Sequence, residues 1–176
     1  MMAMAAAARA RTSWPLPKRC VHVEAGLKKA GIVLPPPGAP KANYNMLAWG
    51  PGGMLYLSGH LPITTSGELL KGRLGEGGMD VAQGYEHARW VGLNFLATLQ
   101  KELGDLDRVE QVVKLLGVVN STNTFTDQHL VVNGCSDLFM QAFGDKVGYH
   151  ARSAIAANTL PLGTSVEIEA IFKVKE

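Results

Sequence analysis

Arg152 stands in a run of small apolar residues, Ala151-Arg152-Ser153-Ala154-Ile155-Ala156-Ala157. A cation in such a strand needs an acceptor, because burying it unpaired is costly. Two kinds of partner suit it: a carboxylate from an adjacent strand, or a ligand carboxylate gripped by two parallel N–H···O bonds. Glu167, on the next predicted strand, can pair with Arg152 or orient a water beside it. Glu169 lies two residues on and shares its face, so spacing alone leaves both open. Other chemistry is poorly served. There is no GxSxG nucleophile elbow and no GxxxxGK[ST] phosphate loop. His22, His60, His87, His129 and His150 show no metal-ligand spacing and read as structural or surface histidines. Cys135 sits in an apolar stretch and reads as a small core residue. Gly72, Gly75, Gly77 and Gly78 precede a helix and suit either an anion site or a turn, the turn being preferred.

These side chains are placed by the elements around them. Residues 151–158 and 165–175 read as strands separated by the turn Leu160-Pro161-Leu162-Gly163. In the second, Val166, Ile168, Ala170, Phe172 and Val174 share one face, and Glu167, Glu169, Ile171, Lys173 and Lys175 the other. Asp80 to Lys101 reads as the clearest helix, capped by Asp80 with Gln83 three residues on and ended by Gly104. Val81, Tyr85, Ala88, Gly92, Phe95 and Leu99 form its apolar stripe, where Gly92 predicts close approach to a sheet. His129 to Phe143 reads as a second helix with Leu130, Val131, Leu138, Ala142 and Phe143 inward. Val109 to Val119 reads as a strand buried on both faces. Residues 22–33 suit a short helix with Val23, Leu27 and Ala30 on one side, stopped by Gly31 before Pro35-Pro36-Pro37. Residues 41–50 and 54–61 suit a hairpin, with a further strand near Glu68 to Lys71. The order β-β-(β)-α-β-α-β-β predicts an α+β fold with both helices on one face of a mixed sheet. The other face would carry Arg152 and Glu167, and Ile171 on that mostly polar face predicts contact with a partner subunit.

Length and charge bound the rest. The 176 residues fit one domain, residues 24–176, behind a tail of residues 1–23. Apolar residues make up 47% and charged ones 18%, a globular composition. No apolar run is long enough to span a membrane. Cys20 and Cys135 form no CxxC, which argues against a disulfide scaffold and fits a reducing compartment. The tail carries Arg9, Arg11, Lys18 and Arg19 and no acid, and is rich in alanine. That composition suits a transit peptide for mitochondria or another organelle, or a solvated arm of a cytoplasmic protein. Beyond it, 13 basic side chains face 15 acidic ones, so nucleic-acid binding is not expected.

At the C-terminal hairpin the sequence resembles a known family. His150-Ala151-Arg152-Ser153-Ala154, Leu160-Pro161-Leu162-Gly163 and Val166-Glu167-Ile168-Glu169-Ala170-Ile171 are similar to the signature of the Rid (YjgF-type) proteins, often named "endoribonuclease L-PSP". Leu34-Pro35-Pro36-Pro37-Gly38-Ala39-Pro40, Asn43-Tyr44, Leu57-Ser58-Gly59-His60-Leu61-Pro62 and Asn133-Gly134-Cys135-Ser136-Asp137-Leu138 resemble a longer subgroup of that family. The resemblance runs over about residues 22–175. It implies a chorismate-mutase-like α+β fold and a homotrimer with three clefts between subunits. In the deaminase branch it implies hydrolysis of 2-imino and enamine acids, such as 2-aminoacrylate, to 2-keto acids and ammonia, with no metal or organic cofactor. By the same resemblance Arg152 clamps the substrate carboxylate and Glu167, rather than Glu169, positions water. Tyr44, Ser58, Asn133 and Ala154 would line the cleft, Ala154 standing where the deaminase branch commonly has cysteine. Two other readings use the same features: a cleft that binds a keto acid without turnover, and a trimer that serves as an assembly subunit docked through its basic tail.

Overall fold

The computed structural model describes residues 23–175. Four helices and five strands follow in the order α1 (Val23–Lys29), β1 (Leu47–Trp49), β2 (Met54–His60), α2 (Val81–Leu103), β3 (Val109–Asn120), α3 (Gln128–Phe143), α4 (Asp145–Gly148), β4 (Ala151–Ala157) and β5 (Val166–Val174). The sheet order is β1-β2-β5-β3-β4. Only β3 and β4 run parallel among neighbours, and every other pairing is antiparallel. Because β2 and β3 both oppose β5, they share a direction. Each of α2 and α3 is therefore a crossover between like-directed strands, which seats both on one face of the sheet. The predicted α+β architecture is thus observed.

The end signals of α2 act as the sequence predicts. The Asp80 side chain accepts the Gln83 N–H, the Gln83 side chain accepts the Asp80 N–H, and Gly104 closes the helix in the left-handed region. Between α2, α3 and the sheet lies the core, including Leu55, Leu57, Phe95, Leu115, Phe139, Ile168 and Phe172. Their alternation along the strands leaves the second sheet face without a covering layer among the described residues, and there Tyr56 and Ile155 are 45% and 48% exposed.

Several expectations are corrected. Residues 68–71 form no strand, only single bridges from Leu69 to Ile63 and from Lys71 to Thr164. The first strand of the hairpin shrinks to Leu47–Trp49. β3 is buried on its helix side alone, since nothing among the described residues covers its other side. Leu130 points out, one position off the buried stripe headed by Val131, and Ala30 lies past the end of α1. Gly92 meets α3 rather than the sheet: a side chain there would press on Leu138 and Cys135. The tail reading falls outside the described residues except at Val23.

Candidate functional site

Glu167 is placed by an irregularity in β2. That strand pairs with β5 from Met54↔Lys173 to Leu57↔Ala170, and His60 then pairs with Ile168, so β2 carries one extra residue at Ser58-Gly59. Bulges of this kind re-aim side chains. The Ser58 hydroxyl donates to the Asn45 carbonyl (2.7 Å) and its N–H to the Met46 carbonyl (3.0 Å), tying the bulge to the segment that carries Tyr44. Glu167 fills the space that Gly59 leaves free; a Cβ at position 59 would collide with Glu167 Oε1. Burial raises the Glu167 carboxyl above its ordinary range, and the charge of Glu169 adds to the effect. Tyr44 and Ser58 line a concavity of about 730 Å³ on the uncovered sheet face, with Tyr56, Lys114, Glu169 and Ile171. Lys114 donates to Ser153 Oγ (3.0 Å) on that face.

Arg152 belongs to the other face. It pairs with Leu115, whose side chain is in the core, and its guanidinium reaches α3. Nη1 donates to Ser136 Oγ (2.9 Å) and Nη2 to the His129 carbonyl (2.9 Å). Both acceptors are neutral, so these contacts hold the cation without matching its charge. His129, Asn133 and Ser136 are spaced to share one side of α3, which puts Asn133 beside the arginine's anchors. Ala154 lies two residues along β4 on the same face as Arg152, opposite Gly117.

The predicted site residues therefore form two groups. Tyr44, Ser58 and Glu167 stand on the open face, while Arg152, Asn133 and Ala154 stand on the helix side at the β4 edge. The expectation that Arg152 and Glu167 share a face is overturned, because the parallel register seats Arg152 with Leu115 and the antiparallel register seats Glu167 with Val118. Two strand spacings separate them, about 10 Å across the sheet, and three residues, about 10 Å along it. No carboxylate of an adjacent strand serves as the arginine's acceptor in these contacts.

The remaining candidates are structural. His60 is buried, stacked on Phe95 at 4.2 Å between ring centroids and bonded to Thr98 Oγ1 (2.9 Å) and the Ser58 carbonyl (2.7 Å). Burial lowers its pKa to about 4. His87 meets Ser165 Oγ at 2.6 Å. The amides of Gly72, Leu74, Gly75 and Gly78 all donate to backbone carbonyls, so the glycine-rich loop is a built turn rather than a set of free anion donors. Cys135 is fully buried, which raises its thiol pKa. Sequence reasoning missed Ser136 and His150 as neighbours of Arg152. The spacing of His129, Asn133 and Ser136 on one helix was the available signal, but only the seating of α3 against β4 gives it meaning.

Residues 24–173 match the family model "YjgF/chorismate_mutase-like, putative endoribonuclease". Protein TCP17 of Trypanosoma cruzi is 42% identical over 153 residues, covering 87% of this chain and 94% of that protein. Two solved structures share the fold. Atu1372 of Agrobacterium tumefaciens, whose function is described as unknown, is 38% identical with a TM-score of 0.78, over 88% of this chain and 94% of its own. A "putative endoribonuclease" of Shewanella oneidensis is 30% identical with a TM-score of 0.81, over 86% of this chain and 99% of its own. With the same fold and near-complete coverage on both sides, the chain belongs to the YjgF/Rid family.

Proposed function

We propose that this protein hydrolyses small carboxylate-bearing imines and enamines to 2-keto acids and ammonia, in clefts between the subunits of a homotrimer. The observation that carries the reading is the half-buried Arg152 guanidinium, anchored by neutral acceptors and left with three N–H donors for a carboxylate. Glu167, its carboxyl raised by burial, supplies the water-positioning group. Since one chain holds these groups on opposite sheet faces, a complete site takes Arg152 and Ala154 from one copy and Tyr44, Ser58 and Glu167 from the next. The uncovered face, with Tyr56, Leu116, Ile155 and Ile171, supports such an assembly.

The chemistry asks little of the protein. A 2-amino-enoic acid takes a proton at C3 and gives up one from its nitrogen, which makes it the 2-imino acid. Water held by Glu167 adds to the electrophilic C=N carbon, and the resulting carbinolamine expels ammonia to leave the keto acid. Orienting the carboxylate and one water supplies most of the gain. The test is turnover of 2-aminoacrylate generated in situ. Arg152→Ala should lower the rate of keto-acid formation by about 100-fold or more, the loss of a bidentate charge-assisted contact. A rate unchanged by this substitution would refute the reading; saturable keto-acid binding without any turnover would favour the metabolite-binding alternative.

A further inference from the structure

Behind Arg152 the hydrogen bonds form a chain with a fixed direction. His150 Nδ1 lies 2.6 Å from the Gly148 carbonyl, and His150 Nε2 lies 3.0 Å from Ser136 Oγ. A carbonyl only accepts, so Nδ1 carries the hydrogen. Burial lowers the His150 pKa, the Gly148 carbonyl opposes the shift and the Arg152 charge lowers it further, so the balance favours the neutral ring. In a neutral ring Nε2 is then the acceptor, and Ser136 must donate its hydroxyl hydrogen to it. That leaves a Ser136 lone pair for Arg152 Nη1. Every polar atom along Gly148–His150–Ser136–Arg152 thus has one role.

The anchors of this chain are themselves fixed. Gln111 on β3 donates from Nε2 to the Val147 (3.2 Å) and Tyr149 (2.6 Å) carbonyls, holding the segment that presents Gly148 and His150. The His150 ring stands edge-on to the buried Phe139, 6.3 Å between centroids. Ser136 is 7% exposed.

We propose that His150 and Ser136 are positioning residues for Arg152, a directional relay that fixes the guanidinium in the orientation that receives a ligand carboxylate. This rests on the reading of Arg152 as a carboxylate clamp. The relay selects the neutral Nδ1–H tautomer of His150 and leaves Ser136 Oγ able to accept from the arginine. An Nε2–H ring would instead aim a second donor at the same oxygen.

Two measurements on the full chain test it. The first is independent of activity: nitrogen NMR of His150 at pH 7 should show the Nδ1–H tautomer, and an Arg152 side-chain N–H resonance should broaden or vanish in Ser136→Ala. The Nε2–H tautomer, or an unaltered arginine resonance, would overturn the relay. The second uses pyruvate binding and 2-aminoacrylate turnover. Ser136→Ala and His150→Leu should weaken binding and raise KM about tenfold, with kcat changed far less, as expected for a lost bond to a charged group. His150→Gln, which retains an acceptor for Ser136, should recover most of the loss. Wild-type binding in Ser136→Ala overturns the relay while Arg152→Ala still defines the clamp; an unaffected Arg152→Ala overturns the clamp instead, and the NMR result then decides the relay by itself.

Discussion

Arg152 and His60 show how burial assigns roles to single residues. At the sheet edge, two neutral acceptors hold the Arg152 guanidinium, and its remaining N–H donors are the ones the proposed function assigns to a ligand carboxylate. His60 lies fully inside and keeps no charge at neutral pH. Its pKa of about 4 in the folded chain sits below the 6.5 of the unfolded one, so between those values the unfolded state binds more protons. Stability therefore rises with pH through that window and is lost as pH falls from 6.5 toward 4, by about 3 kcal/mol at most. Substituting His60→Gln should flatten this dependence, read as a smaller difference between denaturation midpoints at pH 7 and pH 4.5 than in the wild type. His87 and His150, also shifted downward, remain in both proteins and cancel from the comparison.

At the level of elements, the β2 bulge and the α3 face do the positioning. The bulge at Ser58-Gly59 makes room for the Glu167 carboxyl, and the room is the width of one missing methyl group. Gly59→Ala should displace the flexible end of Glu167 rather than the backbone. The expected outcome is a kcat lowered about tenfold with a melting temperature close to wild type, since misplacing a water-orienting group costs rate more than stability. A melting temperature that falls while kcat holds would show that Gly59 serves the strand and not the glutamate. The α3 face acts in the same manner for Arg152: Ser136 Oγ and the His129 carbonyl meet its guanidinium, and Gly134 lets α3 press against α2, where a Cβ would strike the Tyr85 carbonyl.

For the whole molecule, the proposed function requires assembly, because Arg152 and Glu167 stand on opposite faces of one chain's sheet. Light scattering should report about three times the 18.8 kDa chain mass for a closed cyclic trimer. A sharper measurement mixes two inactive variants. Arg152→Ala and Glu167→Gln, each silent alone, should regain about a quarter of wild-type turnover after subunit exchange, because statistical mixing in a cyclic trimer pairs an intact arginine with an intact glutamate at one interface in four. A site confined to one chain would give no recovery. Replacing Ile171 by aspartate on the uncovered face should dissociate the assembly and abolish turnover together.

Much of this was legible in the amino-acid order, for local reasons. The α2 boundaries follow from Asp80, Gln83 and Gly104, whose capping groups act within one turn. The two faces of β5 follow from a period of two, and the family from contiguous motifs at residues 150–171. The sequence also singled out Arg152, since an arginine among small apolar neighbours demands an acceptor. What it left open was which face each strand presents to which neighbour. Register decides that, and register depends on the β2 bulge and on β4 joining β3 in parallel, both long-range facts. A one-residue difference in register moves a side chain through the sheet, and for this reason only the tertiary structure placed Arg152 against Ser136 and His150, and Glu167 on the opposite side.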